Sequence, residues 1–121
     1  MKIVELGETF PIRPERYSGD VAIQALRVSP NPADGDILHV QYEPNCVTNW
    51  HRHPGGQFIY ILSESAIIGV EGEEPAHVKK GSLVVVTPGE RHWHGATVND
   101  PAEILTFTFG ITKWEDASIT K

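Results

Sequence analysis

Near its middle the chain runs Trp50-His51-Arg52-His53-Pro54-Gly55-Gly56-Gln57. Side chains two apart on an extended chain share a face, so His51 and His53 project together, with Trp50 and Arg52 on the reverse. Pro54-Gly55-Gly56 turns the chain, and Gln57 opens the next extended run, Gln57–Leu62. A second stretch, Pro88-Gly89-Glu90-Arg91-His92-Trp93-His94, repeats the logic. There His92 and His94 share a face and Trp93 opposes them.

Outward from these stretches the chain reads as short strands divided by turns. Its 11 Gly and 9 Pro punctuate runs rich in Val, Ile, Thr and aromatic residues. Expected strands are 21–28, 37–43, 57–62, 66–71, 76–79, 83–87 and 104–110, with a loop over 29–36. Ile37–Glu43 alternates cleanly: Leu38, Val40 and Tyr42 take one face, His39, Gln41 and Glu43 the other. No helical stripe is present before the last dozen residues. The pattern predicts an all-β sandwich or barrel, and lacks the Cys…Trp…Cys spacing of antibody-type domains.

Two strands are apolar on both faces. Phe58, Tyr60 and Leu62 back onto Ile59 and Ile61, and Val84 and Val86 back onto Leu83 and Val85. Such strands need a cover on the outer side. An N-terminal strand or a second subunit would supply it, and a homodimer is expected.

Composition narrows the function classes. The 121 residues make one domain, and 10 basic against 16 acidic residues give a net charge of −6. An acidic chain without a basic run is not expected to bind nucleic acid or an anionic membrane. No apolar run approaches a membrane span, and no secretory leader is expected. Cys46 is the only cysteine, which excludes a disulfide framework and a Cys-rich zinc site. A cytoplasmic location follows as the expectation.

Five of the six histidines lie between His51 and His94. Neutral imidazole is the commonest metal-ligating side chain. Two imidazoles from one of these stretches, one from the other and an amide oxygen make a four-ligand set, which leaves an octahedral ion two adjacent open positions. His94 is a titratable group near such a site, read as a catalytic acid/base or a substrate hydrogen-bond partner. Strand parity turns Gln57, Ile59 and Ile61 inward, with Leu38, Val40 and Tyr42 facing them. These residues sketch an apolar pocket for a small-molecule substrate. His39 and His77 are read as surface residues, Trp50 and Trp93 as outer-layer packing, and Arg52 and Arg91 as solvated.

These motifs resemble those of a small single-domain cupin, a jelly-roll β-barrel of two packed antiparallel sheets. The family's first motif reads G-x5-H-x-H-x3,4-E-x6-G and its second G-x5-P-x-G-x2-H-x3-N. His51 and His53 match the paired histidines, Gln57 stands at the glutamate, and His92 matches the last histidine. Gly81 and Gly89 match glycines of the second motif. Asn45 replaces the first glycine, and Asn tolerates the left-handed backbone that glycine would supply. Glu64, Thr87 and Ala96 also depart from the pattern. The resemblance implies a barrel over about 20–112, an N-terminal arm over 1–19 and a C-terminal segment over 113–121.

A narrower resemblance joins W-H-x-H-P-x-G-Q and P-G-x-x-H-W-H-G-A to the cupins associated with carboxymuconolactone decarboxylases. The same motifs resemble the manganese-dependent bacterial hydroxynitrile lyases. That subgroup implies Gln57 as fourth ligand and manganese or iron as the metal; ligand type also admits Zn, Ni, Co or Cu. The lyases carry a further histidine on the closing strand, where this chain has Ile104–Phe109 without histidine or carboxylate. Neutral ligands leave the ion's charge uncompensated, which suits Lewis-acid chemistry on a small oxygenated substrate. The expectation is therefore a metal-dependent lyase or isomerase. A redox dioxygenase and a non-catalytic ligand-binding cupin are the alternatives.

Overall fold

In the computed structural model, the described residues are 1–7, 10–12 and 15–119. Alternating side chains set the long strands. On β10 (Ala102–Thr108) every second residue is buried, and β5 (Gln57–Ile61) shows the same period. Ile59 and Ile61 point inward and are fully buried, while Phe58 and Tyr60 point out.

One sheet has six strands in the order β1 (Phe10–Ile12), β2 (Val21–Arg27), β3 (Asp36–Tyr42), β10, β5 and β8 (Leu83–Val86). The other has five: β11 (Lys113–Trp114), β4 (His51–Arg52), β9 (His92–Gly95), β6 (Ser65–Val70) and β7 (Ala76–Lys79). All strand pairs are antiparallel. Val21, Val40, Ile59, Ile61, Ile68, Val86 and Ile104 fill the space between the sheets. This is the expected all-β jelly-roll barrel, and among the described residues its helix content is a three-residue 3₁₀ turn, Pro32–Asp34, inside the expected loop.

The expected strands are present with ends shifted by one or two residues. The short strands β4, β9 and β11 add the second sheet's half of the site. Asn45 does adopt a left-handed backbone, at φ 69°, where the family motif has glycine. The Pro-Gly turn before His92 likewise needs Gly89, at φ 76°.

Two expectations are corrected on the outer faces. His39, read as a surface residue, is only 4 % exposed, and its Nε2 lies 2.6 Å from Glu103 Oε2. On its own face of β3 it lies between Ile37 and Gln41, and across the strands it is paired with Gln24 and Leu105, in a row that continues to Tyr60 and Leu83. Arg91, read as solvated, bridges Glu115 at 2.7 Å and Glu71 at 2.9 Å, with its guanidinium 4.1 Å from the Trp50 ring centroid. His77 and Arg52 are exposed as expected, and Trp93 packs against Gly69 on the outside of the second sheet.

The N-terminal strand β1 pairs with β2, at the edge away from β8. It therefore does not cover the apolar outer face of β5 and β8. Phe58, Tyr60, Leu83 and Val85 remain exposed there.

Candidate metal centre

The register brings the histidines together. β4 and β9 pair at His51 and His92, so both imidazoles enter the barrel from the second sheet. His53 follows β4 before the turn at Pro54. Among the described residues, His51, His53 and His92 form one buried group whose ligand nitrogens lie within 4.8 Å of one another. Such a group can hold a metal ion.

The outer nitrogens show how the rings are aimed. His51 Nδ1–H donates to the Asn49 carbonyl at 2.9 Å, and His92 Nδ1–H donates to the Glu90 carbonyl at 3.0 Å. Each histidine thus uses the carbonyl two residues before it, and each presents the Nε2 lone pair to the interior. His53 Nδ1 is bonded to Thr112 Oγ1 at 3.0 Å, which leaves its Nε2 buried without a partner.

Gln57 completes the test of fit. Its amide Nε2 donates to Thr108 Oγ1 at 2.8 Å, so Oε1 faces inward, 3.1 Å from His92 Nε2. Both facing atoms are acceptors, an arrangement that is unfavourable unless a cation lies against them. Two ligand atoms about 2.1 Å from one ion, at a right angle, lie about 3 Å apart. The residues present fit a transition-metal ion.

The electrostatics favour neutral, metal-ready imidazoles. Burial, reinforced by neighbouring His92, pushes His51 down to about 2 and His53 down to about 4. Burial also lowers His92. His94 is held well below the ordinary histidine range by burial and then by His51.

His94 enters the same space from β9 but stays outside the three-histidine group. Its Nδ1 lies 2.9 Å from the Tyr42 hydroxyl, and its Nε2 is buried without a partner. Burial keeps Tyr42 well above the usual phenol range, so it remains protonated. A phenol is a better donor than a neutral imidazole N–H, and an imidazole nitrogen is the better acceptor. Tyr42 therefore donates to Nδ1, and the His94 proton sits on Nε2.

A chamber of about 60 Å³ lies against these groups. Leu38, Val40 and Tyr42 line it together with His51, His53, Gln57 and His94, as the sequence reading expects. Ile59 and Ile61 do not reach its wall. They point the same way as Gln57, but further along β5 the interior is solid, filled by Val86, Ile104 and Ile68. Thr106, Thr108, Thr112, Tyr17 and Trp114 also line the chamber and were not anticipated. The threonines had a signal: Thr106 and Thr108 are polar residues at the inward parity of the closing strand.

Comparison with known proteins agrees with this architecture. Residues 38–108 match the model of the cupin domain. The chain belongs to the cupin family. It is 36 % identical over 80 residues to an (R)-mandelonitrile lyase of Granulicella tundricola, a match covering 66 % of this chain and 61 % of that protein. Among solved structures, a cupin-like protein of Thermotoga maritima superposes with a TM-score of 0.85 at 26 % identity, covering 100 % of this chain and 92 % of that one. A predicted oxalate decarboxylase of the same organism superposes with a TM-score of 0.76 at 21 % identity, covering 91 % and 100 %. The last likeness shows the fold alone.

Proposed function

We propose that this cupin is a metal-dependent enzyme of the lyase type, acting on a small oxygenated substrate. In this reading His51, His53, His92 and the Gln57 oxygen hold one divalent transition metal, manganese or iron. The observation that carries it is the pair of acceptors, His92 Nε2 and Gln57 Oε1, facing each other at 3.1 Å beside the unpartnered His53 Nε2. An ion bound by neutral ligands supplies Lewis acidity toward a substrate oxygen.

The protein's own groups supply the rest. Thr108 fixes which end of the Gln57 amide faces inward. Tyr42 fixes the His94 ring and its protonated nitrogen. His94 Nε2 is the atom through which a proton is exchanged with substrate. The aromatic wall of buried Tyr42 and half-buried Tyr17 and Trp114 limits water in the chamber.

Cleavage of a cyanohydrin to an aldehyde and hydrogen cyanide fits these groups. His94 Nε2–H gives its proton to the departing cyanide and the same nitrogen takes the hydroxyl's proton in its place, so a single exchanging group in the chamber suffices. The lyase relative supports testing this substrate first. The reading includes a homodimer formed through the exposed faces of β5 and β8, and a cytoplasmic location for a chain with one buried cysteine.

The test is turnover of a panel of cyanohydrins, keto acids and small lactones by metal-loaded protein, with and without dioxygen. Lyase turnover without dioxygen, with His94→Ala keeping its metal and losing at least 100-fold in rate, is the expected result. A strict requirement for dioxygen would replace this reading with an oxygenase. Loss of metal from His94→Ala would make His94 a ligand.

A further inference from the structure

The chamber holds one polar group that the metal reading does not use. Thr106 is 3 % exposed, faces inward on β10 and lines the chamber, yet its Oγ1 has no hydrogen-bond partner. A buried hydroxyl without a partner is costly, and it persists where a ligand satisfies it. His94 Nε2, in the same chamber, is unpartnered as well. With Tyr42 donating to Nδ1, that nitrogen carries the proton and is a donor, while the Thr106 hydroxyl both donates and accepts.

The space around this pair restricts what binds there. At about 60 Å³ the inner chamber has room for about two water-sized groups. A second chamber of about 260 Å³ adjoins it, sharing Leu38, Thr108 and Thr112 as wall. Val28, Pro32 and Ile111 make that outer wall largely apolar. The Asp36 carboxylate, held by the Ser29 N–H at 2.7 Å, also lies on it and disfavours an anion.

We propose that Thr106 Oγ1 and His94 Nε2–H form a heteroatom-binding subsite beside the metal centre. The substrate then carries two neighbouring oxygen or nitrogen atoms at one end of a neutral, apolar body. The two-atom head fills the inner chamber and the body fills the outer one. This deepens the lyase reading and rests on it for the attachment of the first heteroatom; the subsite itself stands on Thr106, His94 and the two chambers.

The probes are 1-phenylethane-1,2-diol and 1-phenylethanol, which differ by one hydroxyl. Each is titrated by calorimetry into wild-type, Thr106→Val and Thr106→Ser protein, metal-free and manganese-loaded, with metal content measured alongside. The expected result is a roughly tenfold tighter dissociation constant for the diol in wild type, the worth of one hydrogen bond to a buried group. Thr106→Val should lose this preference and Thr106→Ser should keep it. A preference unchanged in Thr106→Val overturns the proposal, and so does equal binding of the two probes, or binding of neither, in wild type. A Thr106-dependent preference in a protein that takes up no metal would sink the metal reading and leave the subsite standing. A metal-loaded protein without that preference would do the reverse. If Thr106→Val does not fold, Thr106→Cys, which also replaces the hydroxyl, takes its place with the same expected loss.

Discussion

His51 and His53 carry the centre's pH behaviour. Their folded values, about 2 and about 4, lie below the ordinary 6.5. Between those values and 6.5 the unfolded chain binds more protons than the folded one. Their contribution to stability is therefore complete above about pH 6.5 and is lost as pH falls, that of His53 through about 4 and that of His51 through about 2. The urea midpoint of metal-free protein should hold steady above pH 6.5 and decline below it. A midpoint that rises from pH 7 to pH 5 would contradict the burial of neutral imidazoles. At this scale the sequence was most legible where residues repeat a local device. His51 and His92 each donate to the carbonyl two residues back, so the local chain sets the aim of these two rings as well as their place. Ile59 and Ile61 show the limit: parity gives direction, but whether a cavity lies in that direction depends on Val86, Ile68 and Ile104, which come from other strands. His39 failed for a similar reason, since Leu105 and Glu103 become its neighbours only when β10 pairs with β3.

The strands differ in how far local pattern reveals them. β3 alternates apolar and polar residues over Leu38–Tyr42 and reads directly from the sequence, whereas β5 and β10 read as short runs rich in β-branched and aromatic residues and alternate only in burial. β4 and β11 have two residues each and exist through pairing with one another and with β9. No window of sequence contains that information. The pair β5 and β8 carries an unmet need. Its inner residues are core, while Phe58, Tyr60, Leu83 and Val85 make an exposed apolar patch on the outer side. Light scattering at micromolar concentration should give about twice the chain mass of 13.4 kDa. Phe58→Lys with Leu83→Lys should restore the single-chain mass and keep the fold, because neither side chain faces the core. Single-chain mass for the unaltered protein would remove the homodimer.

At the scale of the molecule, the barrel works by bringing two sheets to one chamber. The second sheet contributes His51, His92 and His94, with His53 just beyond β4. The first contributes Gln57 and the threonines of β10, joined in register at Gln57 and Thr108. The closing strand thus carries hydroxyls in the region where the similar lyases carry a further histidine. That difference changes the lining of the chamber and leaves the three-histidine group, which could hold a metal, in place. The family is written in residues 38–108, whereas the two chambers appear only in the assembled barrel.

Metal content tests the central claim most directly. Protein purified without chelators, offered manganese and iron and then desalted, should hold close to one equivalent of divalent transition metal per chain. His51→Ala and His92→Ala should keep their β-rich circular dichroism and lose most of it. A wild-type protein that retains no metal, or variants that retain as much as wild type, would contradict the assignment of these side chains to a metal centre.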